Sequence, residues 1–293
     1  MRRKIPVTLL GETSSLGRHL CTSLEAHPWF TLNTEPFNPE SDPHETPFIV
    51  DCNLDPDPDT TRRLLSKGHL LLRPYSGKED QLLHSTLFTQ ETAFTPHRLL
   101  RSQPLAVPDA PVAVITRFLT PLHSLRNVAA LDVVVLHPVE LTSIKSLDIL
   151  SATRCSPTPD RWIQQLHALK HTCVHQENIR LVHVPARKSL LLLVTVTFDK
   201  PVSAQKISTA WKDHRSWVDK LKLPSRGGED FHVYDSPPPR ELQETDLLRI
   251  THLESTAEKQ VRFTVTANST VCGPAGGLLR LAELLVRLGH IYW

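Results

Sequence analysis

The stretch "VTLLGETSSLGRHL", residues 7–20, has the pattern of a strand, a glycine turn and a helix start. Val7, Leu9 and Leu10 read as a short strand, Gly11 opens a turn, and Leu16, Gly17 and Leu20 begin a helix. A strand entering a helix through Gly11, Thr13, Ser14 and Gly17 can aim backbone N–H groups and a helix N-terminus at a pyrophosphate. Gly11 would permit the tight turn, and Gly17 the close approach of helix and sheet. Ser14 stands where a middle glycine usually lets backbone meet phosphate, and its Cβ would crowd a ligand. A strand-to-helix turn kept for packing needs the same residues, so both readings stay open. Glu35, after the second strand, is placed like an acid that holds ribose hydroxyls; a solvated loop glutamate accounts for it too.

Outward from this loop, the first half alternates short apolar strands ("WFTLNT", "PFIVDCNL", "HLLLRP") with helical stretches such as "DTTRRLLSKG". That order predicts βαβ units and a parallel sheet. "EPFNPESDPHETP" between them reads as a loop. In the second half, "PVAVITRFLTPLHSL" predicts a helix and "ALDVVVLHPV" a strand. "SLLLLVTVTF" (189–198) and "QVRFTVTA" (260–267) alternate with period two, as in an antiparallel sheet with one covered face. "GGLLRLAELLVRLGH" is apolar apart from Arg280, Glu283 and Arg287 and predicts a buried final helix. The expected architecture is therefore α/β: a reduced Rossmann-like parallel-sheet domain, then an α/β domain with a mixed, largely antiparallel sheet.

The chain of 293 residues has room for two cores. With 33 Lys+Arg against 31 Asp+Glu it carries no basic excess of the kind nucleic-acid binding needs. Cys21, Cys52, Cys155, Cys173 and Cys272 are scattered without a CxxC pair, which predicts neither a disulfide framework nor a zinc ribbon and fits a reducing cytoplasm. The apolar run behind "MRRK" is too short for a signal sequence, and no segment reaches the roughly 18 apolar residues of a membrane span.

One family matches these features. "LLGETSSLGRHLCTSLEAHPWF", "PLH" (121–123), "SLDIL" (146–150), Val184-Pro185, "LPS" (223–225) and "GPAGGLLRLAELL" (273–285) resemble, in order, motifs of the aspartate-β-semialdehyde dehydrogenases, chiefly the archaeal and fungal branch. The resemblance implies a Rossmann-like domain over 1–110, to which a C-terminal helix over 275–293 returns, and a dimerisation domain over 111–274. It implies NADP held by Gly11, Thr13, Ser14, Leu16 and Gly17, and reductive dephosphorylation of aspartyl phosphate in amino-acid biosynthesis. It also implies a first domain shortened near residues 33–47, where a wall for adenosine is expected.

The same resemblance exposes departures. The family's Asn-Cys-Ser/Thr motif falls on Asp109, Ala110 and Pro111, and alanine cannot form a thioacyl intermediate. The proton-transferring histidine falls on Leu190. The Gln-x-x-Ser-Gly turn becomes His137, Pro138, Val139, Glu140 and Leu141; an expected arginine is Cys272, and an asparagine expected near the nicotinamide is Leu281. "RCSPT" places a cysteine at Cys155, but after "PLH" and "SLDIL" rather than before them. The expectation is a non-catalytic homologue with no catalytic residues, acting as a homodimer, by pairing with an active paralogue, or through residual nucleotide binding. The alternative is a divergent NADP-dependent dehydrogenase.

Two other constellations stand out. His167, His171 and His175 recur at helical spacing around Cys173, though no fourth ligand follows and no metal site is expected. "WKDHRSWVDKLKLPSR" (211–226) reads as a basic helix with Trp211 and Trp217 on its buried side, and nucleic acid is not expected to bind it. No GxSxG or Walker loop occurs.

Overall fold

A computed structural model describes residues 4–33, 37–38, 48–53, 57–75, 86–87, 103–138, 159–169, 174, 176–184, 189–225, 230–234 and 246–291. Two compact units emerge, one of residues 1–109, 217–226 and 274–293, the other of residues 110–216 and 227–273.

The first unit holds β1 (Ile5–Leu10), α1 (Ser15–Glu25), β2 (Phe30–Leu32), β3 (Ile49–Asp51), α2 (Pro58–Ser66), β4 (Leu71–Pro74), β5 (Thr86–Leu87) and β6 (Leu105–Val107). Its sheet has the order β2-β1-β3-β4-β6-β5, and every pairing is parallel. Parallel strands need both faces covered, which explains why Ile49, Val50, Leu71, Leu72, Leu105 and Val107 are all buried. The strand order reverses between β1 and β3, where an open α/β sheet leaves a crevice at its C-terminal edge. α1 starts where Ser14 Oγ accepts the N–H of Gly17 at 2.9 Å, and its buried Leu20 and Leu24 lie on one face. α2 starts at Asp57, whose carboxylate accepts the N–H groups of Asp59 and Thr60, with Pro58 in the first turn.

The second unit holds α3 (Ala110–His123), β7 (Val128–Pro138), α4 (Pro159–Ala168), β8 (Gln176–Val184), β9 (Ser189–Phe198), α5 (Ala204–Asp213), β10 (Phe231–Val233), β11 (Leu248–Ala257) and β12 (Gln260–Asn268). Its sheet runs β10-β11-β12-β9-β7-β8, antiparallel in the middle and parallel at both edges. On β9, Leu190, Leu192, Val194, Val196 and Phe198 are buried while the residues between them are not, so one face is covered and the other open. Trp211 anchors the covered side: it stacks edge-on to Phe263 at 4.9 Å, and its Nε1–H donates to the Phe118 carbonyl at 3.0 Å. The α/β architecture with one parallel and one mixed sheet is the one the sequence predicts.

One sequence expectation needs correction. Residues 211–226 do not form one helix. α5 stops at Asp213 because His214 turns extended (ψ 133°), and the chain resumes as a 3-10 turn over Trp217–Leu221 that belongs to the first unit. Trp211 is buried in the second unit, whereas Trp217 packs only partly buried in the first. The helix that carries His167, α4, ends at Ala168, and β8 begins at Gln176. His167 pairs with Glu177 at 3.3 Å, while His171, Cys173 and His175 lie outside the described residues.

The final helix, α6 (Pro274–Arg287), is buried further than its charges suggest: Arg280 is 7% exposed and Glu283 fully buried.

Candidate functional site

In the first unit the glycine loop crosses the C-terminal ends of β1 and β3. Gly11 has φ +76°, a left-handed conformation that side chains with a Cβ rarely adopt. A Cβ there would also lie 2.7 Å from Asn53 Oδ1, because the turn after β3 packs directly against it. Asp51 fixes that turn by accepting the N–H of Asn53 at 3.0 Å and its side-chain amide at 2.8 Å. Burial pushes the Asp51 carboxyl above its ordinary range, against the hydrogen bonds from Asn53 and the charge of Arg73. At Gly17 a Cβ would collide with the Gly11 carbonyl oxygen, so helix and turn touch backbone to backbone.

This loop fits a pyrophosphate in part. The left-handed Gly11 and the open N-terminus of α1 supply the needed shape, and a helix leaves its first N–H groups without intrahelical acceptors. Ser14 Oγ, however, already takes the N–H of Gly17, so that donor is no longer free for a phosphate. Thr13 is exposed beside the loop and Leu16 is half-buried. Glu35 lies outside the described residues.

The positions that the resemblance links to chemistry fall in the second unit, except Asp109 and Leu281. Ala110 is the first residue of α3 and only 6% exposed; a Cβ on Gly273 would sit 3.2 Å from its own. Leu190 is fully buried on the covered face of β9, paired in register with Ala267. Neither side chain has an atom that can attack a carbonyl or carry a proton. Leu281 is fully buried in the core of the first unit. Val139, Glu140, Leu141 and Cys155 lie outside the described residues.

Sequence reasoning missed two features here. Arg117, on α3, reaches the side chain of Cys272: its Nη1 donates to the Asp246 carbonyl at 2.6 Å and lies 3.7 Å from Cys272 Sγ, while its Nη2 pairs with Asp230 at 2.8 Å. Arg117 and Asp230 are buried, so this guanidinium is consumed inside the unit. No spacing rule links residues 113 positions apart, so only the fold reveals the pair. His183 is the other: it stands in register with His137 on the neighbouring strand, ring centroids 6.1 Å apart.

Among the described residues no group of three or more His, Cys, Asp or Glu side chains could hold a metal ion, and no helix is long and apolar enough to cross a membrane.

The chain matches no protein-family model and no curated protein. Solved structures match it along nearly its whole length. Aspartate semialdehyde dehydrogenase with NADP from Candida albicans superposes with a TM-score of 0.76 at 15% identity, covering 97% of this chain and 99% of that one. Aspartate semialdehyde dehydrogenase II from Vibrio cholerae gives 0.72 at 13% identity with the same coverage. The Francisella tularensis enzyme gives 0.66 at 11%, covering 96% and 100%. Across both units, the chain has the fold of the aspartate semialdehyde dehydrogenases.

Proposed function

We propose that this chain is a non-catalytic protein on the aspartate-semialdehyde-dehydrogenase fold. It acts in the cytoplasm by self-association, or by pairing with an active paralogue, through the open face of the mixed sheet. The observation that carries this reading is the pair of inert buried side chains, Ala110 and Leu190, at the positions where the resemblance puts nucleophile and base. The open face supports the association: Leu193 and Val182, the exposed large hydrophobics among the described residues, both lie on it, at 43% and 44% exposure. The purified protein should show no phosphate-dependent reduction of NADP with aspartate semialdehyde, and should sediment as a dimer. Turnover abolished by Cys155→Ala would overturn the non-catalytic reading and support the divergent dehydrogenase.

A second reading, residual nucleotide binding, is favoured by the left-handed Gly11 beside the N-terminus of α1. Gly11, Thr13, Ser14, Leu16 and Gly17 would hold the pyrophosphate of NADP, a cofactor whose nicotinamide carries hydride when bound. A fluorescence titration with NADPH tests it. Saturation at micromolar concentration supports a nucleotide sensor, and no binding at millimolar concentration rejects it.

A further inference from the structure

On the covered side of the mixed sheet, β7 and β8 end in a matched pair of imidazoles. Val133 pairs with Ile179, Val135 with Leu181 and His137 with His183, in register on neighbouring parallel strands. Alternate residues of a strand share a face, so both histidines continue the stripe in which Val133, Val135 and Ile179 are buried. The stripe is apolar up to its last rung, where it changes to two nitrogen heterocycles. Leu136 pairs with Leu191, so His137 and Leu190 are the next residues on their strands. The resemblance expects a histidine at Leu190 and a glutamine at His137. Imidazole is therefore missing from β9 and present on the two strands that follow it across the sheet.

The two rings are close without being stacked: their centroids are 6.1 Å apart and their planes cross at 78°. His183 Nδ1 is screened from solvent and has no hydrogen-bond partner among the described residues. A polar atom in that state is unfavourable until something binds it. Both residues are only half-buried, so an ion can reach the rings from solvent. Imidazole nitrogen suits zinc, nickel and copper, whereas the carboxamide oxygen of the expected glutamine suits harder ions. Metal–nitrogen bonds of about 2.0–2.1 Å to two rings set the ring centres about 5–6 Å apart, so the observed spacing needs only a small rotation of either ring. Two protein ligands fall short of a closed structural site, which leaves the other positions of the ion to water.

We propose that His137 and His183 chelate a late first-row divalent metal ion, with water completing its coordination. The site lies within the second unit and depends on neither the self-association nor the non-catalytic reading given above.

Copper(II) is the probe, because it heads the affinity order of these ions for nitrogen donors. Calorimetric titration compares the wild type with His137→Gln, His183→Gln and the double variant, and circular dichroism verifies that each is folded. A chelate holds its ion because the second ring binds at a high effective concentration once the first has bound. Each single variant should therefore weaken the tightest site by about tenfold or more, and the double variant should be no weaker than the singles. His167→Gln, beside Glu177 near the other end of β8, should leave that site unchanged. Affinity unchanged in either single variant, or losses that multiply in the double variant as for independent sites, would overturn the proposal. So would a wild type that binds no copper at millimolar concentration. Should a variant fail to fold, electron paramagnetic resonance of the wild type with one equivalent of copper decides: coupling to two imidazole nitrogens supports the chelate, and any other number overturns it.

Discussion

His27 Nε2 lies 2.7 Å from Glu283 Oε1, both side chains buried, although the two residues are 256 positions apart in sequence. The His27 ring accepts the Trp29 N–H at Nδ1 (3.1 Å), which leaves Nε2 as the donor to the carboxylate. Glu283 also receives the Ser225 N–H at 2.9 Å and the Ser225 hydroxyl at 2.6 Å. A buried carboxylate without three such donors would be strongly unfavourable. The residues joined here come from the "HPWF", "LPS" and "AE" stretches that carry the family resemblance, so these motifs mark a structural clamp within the first unit.

Glu283→Gln keeps the shape of the clamp but turns an amide donor toward groups that all donate. Urea unfolding should show a loss of about 2–4 kcal/mol. A change below about 0.5 kcal/mol would mean that the network contributes nothing to stability.

In the second unit, Arg117→Met removes the guanidinium that pairs with buried Asp230 at 2.8 Å, and the expected cost is about 3–5 kcal/mol. Adding Asp230→Leu should recover much of that, because the pair then disappears together with its desolvation cost. Thermal unfolding of the single and double variants checks this, and a double variant no more stable than the single would contradict it.

Burial pushes the Cys52 thiol up to about 12 from its ordinary 9.0, with the neighbouring Asp51 charge adding to the effect. The folded chain therefore holds this proton more tightly than the unfolded chain does. The stabilisation is complete below pH 9.0 and is lost as pH rises toward about 12. Cys52→Ala should flatten the fall in stability across that alkaline window; an unchanged slope would show that Cys52 does not cause it.

At the glycine loop, stability and nucleotide binding can be separated. Gly17→Ala drives a Cβ into the Gly11 carbonyl oxygen and should lower the unfolding temperature measurably. Thr13→Glu adds a negative charge at an exposed position and should leave that temperature unchanged. If the loop binds NADPH, the same variant should weaken it by about tenfold. Equal affinity in the wild type and Thr13→Glu would remove the loop from the binding site.

Features that arise from short-range interactions are legible in the amino-acid order. Gly11 in a strand-to-helix turn, the period-two alternation of β9 and β12, and the helix over Ala110–His123 follow from steric and burial preferences within one element, and the structure contains each of them. Features that depend on distant segments meeting are visible only in the folded chain. Local pattern favoured a continuous helix over 211–226, but the packing of residues 217–226 with the first unit broke it. It likewise gave no sign that Arg117 would be consumed by Asp230, or that Ser225 and His27 would share one carboxylate. Asp132, Thr195 and Arg262 come side by side only through the pairing registers of β7, β9 and β12. The physical reason is common to all of these: a buried charge must find its partner wherever the fold brings one, and strand register is fixed by the sheet as a whole.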